Sequence, residues 1–123
     1  MYTLYFVENE VRNLNIEERS DVVYQILELA KNNLLDEIQK QKLRAIVLNL
    51  DNRTDNQKQR FLLYYNLKKN QQNTYGLTDV SRLHNVTPNA IRCSIGRIRN
   101  ALVNLQDEKI LAIKEILEDY ENN

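Results

Sequence analysis

The stretch Gly76-Leu77-Thr78-Asp79-Val80-Ser81-Arg82-Leu83-His84-Asn85-Val86-Thr87-Pro88-Asn89-Ala90-Ile91-Arg92 reads as a short helix, a tight turn and the start of a second helix. Leu77, Val80 and Ser81 give the first helix a narrow inward face, with Ser81 small enough for a close helix crossing. Asp79 falls in its first turn, where the helix dipole favours a carboxylate. Asn85 tolerates the left-handed conformation that the turn needs. Thr87 then offers a capping hydroxyl, and Pro88 occupies the first helical position, where its missing N–H is no loss.

Downstream, Ile91, Ile95, Ile98, Leu102 and Leu105 recur at spacings of 4, 3, 4 and 3, which places all five on one apolar stripe. The opposite face presents Asn89, Cys93, Gly96 and Asn100, flanked by Arg92 and Arg99 on one side and by Ala90 and Arg97 on the other. A polar centre with small residues and basic flanks suits the major groove of double-stranded DNA: amides and small side chains meet base edges, and arginines meet phosphates or guanine. Thr78 and Thr87, at the starts of the two helices, complete the candidate DNA-binding set. An ordinary solvated helix face is the alternative. The agreement of cap, turn, stripe and basic flanks within one segment favours DNA.

Charge follows the same division. Residues 1–50 carry 6 basic and 8 acidic side chains, residues 51–75 carry 5 and 2, residues 76–105 carry 4 and 1, and residues 106–123 carry 2 and 6. A basic block between acidic ends hides inside a net charge of 0 and is compatible with one nucleic-acid face.

Upstream, Asn15 is a capping residue with Glu18 in capping-box position, and Val23, Ile26, Leu27 and Ala30 form the stripe of a helix that Asn32-Asn33 can end. Leu35, Ile38, Leu43, Ile46, Val47 and Leu50 form a second stripe, closed by Asp51-Asn52-Arg53-Thr54, which we take as the boundary between two modules. A third helix is expected over residues 56–67, with Phe61, Leu62, Leu63, Tyr64 and Tyr65 as core or interface rather than base-stacking residues. Residues 1–7 have strand-like composition without a partner strand in the chain. The fold expected is all-α: a helical N-terminal module over residues 1–52, followed by a helix-turn-helix domain over residues 53–123. With only 2 Gly and 1 Pro among 123 residues, long helices are expected and turn-rich β structure is not.

Cys93 is the only cysteine, so no disulfide can form within the chain, and a reducing cytoplasm is the expected location. With His84 as the only histidine, neither a structural zinc site nor another cofactor is expected, and His84 itself reads as packing beside a helix crossing. No apolar run approaches the roughly 18 residues of a membrane span, and the N-terminus lacks the basic flank of a signal peptide. The chain has no glycine-rich phosphate loop, nucleophile elbow or paired catalytic histidine, so a binder is expected rather than an enzyme.

From residue 55 to residue 120 the chain resembles the C-terminal promoter-binding domain of primary bacterial sigma factors. The likeness rests on Leu62-Leu63, Tyr75-Gly76-Leu77-Thr78-Asp79-Val80, Val86-Thr87, Ile91-Arg92, Leu102 and an amphipathic tail. The chain departs from that family at Pro88 and Asn89, where Arg and Glu are usual, and at Cys93, where a base-contacting Gln is usual; Arg92 carries over. The resemblance implies a DNA-binding transcription regulator of phage or mobile-element type. It also implies docking on the RNA polymerase β flap, in a slot walled by Leu62, Leu63 and Tyr65 on one side and by Ile110, Ile113 and Leu117 of the tail on the other; the other reading of the tail, which the habit of amphipathic terminal helices favours, is that it closes the core of its own domain. The alternative is a sigma-domain mimic that binds polymerase or an anti-sigma protein without reading DNA. A homodimer through residues 1–52 is the further expectation, because two isolated helices cannot hide the stripes they carry.

Overall fold

The computed structural model describes residues 14–122, which form six α-helices and no strand. These are α1 (Ile16–Lys31), α2 (Glu37–Leu48), α3 (Asp55–Tyr64), α4 (Leu77–His84), α5 (Pro88–Val103) and α6 (Asp107–Glu121). The chain is all-α. The strand-like residues 1–7 lie outside the described residues.

Local chemistry sets most helix ends. Asn15 Oδ1 accepts from the Glu18 backbone N–H at 2.9 Å and starts α1. The Asp36 and Gln39 pair, and the Thr54 and Gln57 pair, close full capping boxes at the starts of α2 and α3. Asn33, Asn52, Asn66, Asn70 and Asn85 are the described non-glycine residues with positive φ, and no glycine has one. Asparagine fills the role that glycine has in most chains, because its short amide tolerates the left-handed region. At Asn66 this stops α3 earlier than the expected residue 67: the Leu67 N–H turns back to the Leu62 carbonyl at 2.8 Å.

α5 is the central strut. Helices α1, α3 and α4 pack on it, and α6 lies against α1 and α2. Val23, Ile26, Leu27 and Ala30 of α1, Leu43 and Val47 of α2, Phe61 and Leu62 of α3, and Ile91, Ile98 and Leu102 of α5 share one core with Ile110 and Ile113 of α6. Apart from Ile38 and the half-buried Ile46, the N-terminal stripes are therefore consumed inside the chain, and they do not supply the surplus of apolar surface from which a dimer was expected. Polar ties cross the expected module boundary as well. Arg19 of α1 donates to the Leu105 carbonyl at 2.6 Å and pairs with Asp107. Gln39 of α2 donates to Asp119 of α6 at 2.7 Å, and the buried Arg44 donates to the Leu67 carbonyl at 2.8 Å.

Two further expectations are corrected. Ile38, assigned to the α2 stripe, is 64% exposed, because the second stripe turns inward only from Leu43 onward, while Leu35 reaches the core from the link before α2. The slot proposed for a polymerase segment is already full: Leu62, Leu63, Tyr65, Ile110, Ile113 and Leu117 are all buried in the common core. The tail helix covers its own domain, as amphipathic terminal helices do.

Candidate nucleic-acid interface

Asp79 Oδ2 accepts from the Gly76 N–H at 2.9 Å and fixes the start of α4. Asn85 then adopts φ 54° and ψ 48°, and the Val86 N–H reaches back to the Ser81 carbonyl at 3.0 Å. Thr87 Oγ1 caps α5 by accepting from the Ala90 N–H at 3.2 Å, with Pro88 next to it. Val80 and Ser81 are buried where α4 meets α5, so this link sets the position of α5 from its first turn.

Three arginines and no carboxylate occur in the 16 residues of α5. Every other helix carries an acidic residue in its first turn, as the dipole favours, and α5 carries none. Its outer face presents Asn89, Arg92, Cys93, Arg97 and Asn100, all exposed, with Ala90 half-buried at the edge. Thr87 is exposed at the cap, and Thr78 is exposed in the first turn of the neighbouring helix α4.

Arg99 does not join that face as an open cation. It is half-buried: Nη1 donates to the Tyr65 hydroxyl at 3.4 Å, and its guanidinium lies 5.4 Å from the centre of the Tyr24 ring. Tyr65 in turn stacks edge-on to Tyr64, whose ring lies under the Lys31 ammonium at 3.6 Å. Arg99 therefore holds α5 against α1 and α3, and is a positioning residue. Arg60 does the same from α3, donating to Ser94 Oγ at 3.1 Å.

Gly96 is half-buried in the wall of a cleft of about 490 Å³ between α1 and α5. Ile16, Ser20 and Tyr24 form the α1 side, and Cys93, Gly96, Arg97 and Asn100 form the α5 side. The cleft also contains Arg53, which sequence reading treated as part of a polar boundary. Its Nε donates to the backbone carbonyl of Arg97 at 3.3 Å, a contact between residues 44 positions apart that no local pattern announces.

No family model, curated protein or solved structure matches the chain. The reading of α5 rests on its own chemistry.

His84 ends α4 beside two cations. Partial burial first, then Arg60 and Lys68, push its imidazole below the ordinary value. The folded chain thus favours neutral His84, and as pH falls through the usual imidazole range the unfolded chain takes up the proton first, so stability is lost on acidification. The unfolding free energy of the wild type is expected to rise between about pH 5 and 7.5 more steeply than that of His84→Gln, measured by urea denaturation. Equal slopes would show that neither burial nor these cations lower the affinity of the ring for a proton.

Proposed function

We propose that this protein is a sequence-specific DNA-binding transcription regulator that lays the first two turns of α5 in the major groove. The observation that carries this reading is the carboxylate-free outer face of α5, with Asn89, Arg92, Cys93 and Arg97 exposed together at the end of a firmly capped helix. Asn89 has the amide geometry for adenine, Arg92 can reach phosphate or guanine, Cys93 offers a small apolar contact for a thymine methyl, and Arg97, just past those two turns, can reach a phosphate at the groove edge. Because α1 stands beside the second half of α5, the base-reading surface is confined to the exposed first half, and the element read is short. Polymerase contact through Leu62, Leu63, Tyr65, Ile110, Ile113 and Leu117 would require emptying the core, so the reading is confined to DNA.

Selection of duplexes from a random library, followed by affinity measurement across a salt series, tests it. Arg92→Ala and Arg97→Ala are each expected to lower the salt slope by about 1 where they neutralise a phosphate. Asn89→Ala is expected to relax preference at one position by about 1 to 3 kcal/mol. Arg99→Ala is expected to act differently, lowering thermal stability through the lost Tyr24 and Tyr65 contacts. No enrichment of any duplex at low salt would falsify the reading.

A further inference from the structure

The cleft between α1 and α5 holds like charges together. Arg53 is fixed there by its bonds to the carbonyls of Arg97 at 3.3 Å and Asn52 at 2.7 Å, and it lines the same cleft as Arg97 and Arg99. Among the described residues no carboxylate lines the cleft, and none pairs with any of these three arginines. Glu17, Glu18 and Asp21, the acids of α1 nearest in sequence to Ser20, are not among the lining residues. Gathering cations in this way opposes folding unless an anion joins them. The Arg99 Nε is also buried without a hydrogen-bond partner.

Gly96 adds an independent observation. A Cβ built at this position meets nothing within 4 Å among the described residues, so their packing does not require glycine, the poorest helix former after proline. Close approach by something outside the chain does account for it. Around that open floor stand the Ser20 hydroxyl and the Asn100 amide, both hydrogen-bond donors.

We propose that this cleft binds a phosphate group, with Arg53 and Arg97 as its direct partners, Arg99 as a fixed charge behind them and Gly96 as the floor. Guanidinium forks match phosphate oxygens in pairs, which is why arginine rather than lysine suits such a site. Two sources share this chemistry. One is a backbone phosphate of the DNA strand that borders α5, since Cys93, Arg97 and Asn100 belong both to the cleft and to the outer face; this source rests on the DNA reading above. The other is a free nucleotide, with its base against Tyr24, which does not rest on that reading.

The full-length wild type, Gly96→Asp and Arg53→Gln are compared after thermal unfolding has established that they fold. The aspartate enters open space and sets its carboxylate where the anion would sit. Each protein is titrated with the selected duplex and, separately, with deoxyadenosine monophosphate followed through the Ser20 and Tyr24 amide resonances. A loss of at least about tenfold in duplex affinity in both variants, with the salt slope lower by about 1, supports the site with DNA as the source. Nucleotide-induced shifts at Ser20 in the wild type that vanish in both variants support it with a free nucleotide as the source. If Gly96→Asp fails to fold, Arg53→Gln decides alone. Wild-type duplex affinity in the variants without any nucleotide binding overturns the cleft and leaves the DNA reading intact. Nucleotide binding without duplex binding overturns the DNA reading and leaves the cleft.

Discussion

Replacing Ile113 by glutamate is expected to unfold the protein, whereas the same change at Ile38 is expected to leave its stability within about 0.5 kcal/mol. Ile113 is 0% exposed and sits on α6 among side chains from the whole core, while Ile38 is 64% exposed on α2. Truncating a buried isoleucine costs about 2 to 5 kcal/mol through lost transfer energy and the cavity left behind. A carboxylate at the same point must also be desolvated without a partner, or be protonated to avoid it, and this adds several kcal/mol more. The total reaches the net stability of a small domain, about 5 to 15 kcal/mol. Urea denaturation followed by circular dichroism reads both variants. A folded Ile113→Glu with a cooperative transition would mean that α6 is a detachable surface helix, and the slot once expected beneath it would again be open to a partner.

Cutting the chain at the expected module boundary is predicted to destroy cooperative folding in the larger piece. A fragment of residues 53–123 loses α1 and α2, and with them Val23, Ile26, Leu27, Ala30, Leu43 and Val47 from the common core. Five of these are large aliphatic side chains worth about 1.5 to 3 kcal/mol each when fully buried, so the loss is on the order of 10 kcal/mol, similar to the entire net stability. The fragment also loses the Gln39 bond to Asp119 and the Arg19 bonds to Leu105 and Asp107. It is expected to keep some helical circular dichroism but to melt without a sharp transition and to bind an apolar dye. Mixing it with a peptide of residues 14–52 should restore a sharp transition. Unassisted cooperative melting of the fragment, at the temperature of the whole chain, would instead make α1 and α2 an appendage.

The α4 to α5 link was legible almost atom by atom, because caps, left-handed asparagine and an N1 proline act within a few residues of themselves. So were the buried stripes of α1 and α5, where one periodicity persists over several turns. The error at Ile38 has a different origin: a stripe shows that a helix has an inner face, but its edge is drawn by the neighbouring helices, and among the described residues none covers α2 at that edge. The module boundary failed for a related reason. Asp51-Asn52-Arg53-Thr54 does break the helix, yet a break in backbone periodicity carries no information about which helices later share a core. Within the candidate interface, the exposure of Asn89, Arg92, Cys93 and Arg97 on one face of α5 was legible from helical spacing alone. Arg53 and Tyr24 were not, since they reach α5 only through tertiary packing. Arg99 was placed on the right helix with the wrong employment, its contacts to Tyr65 and Tyr24 being equally nonlocal.

The Arg19 contact to the Leu105 carbonyl joins residues 86 positions apart, and α1 rests along α6 for much of its length. During synthesis, α1 therefore leaves the ribosome long before the helix that covers it exists. Its apolar stripe must wait, exposed or in provisional contact with α2 and α3, until α6 has emerged. Chain closure of this kind is paid in loop entropy before any of its contacts are gained, so the final step of folding is expected to be the slow one. In the cell, the interval between the first helix and the last is when the nascent chain most needs protection from aggregation.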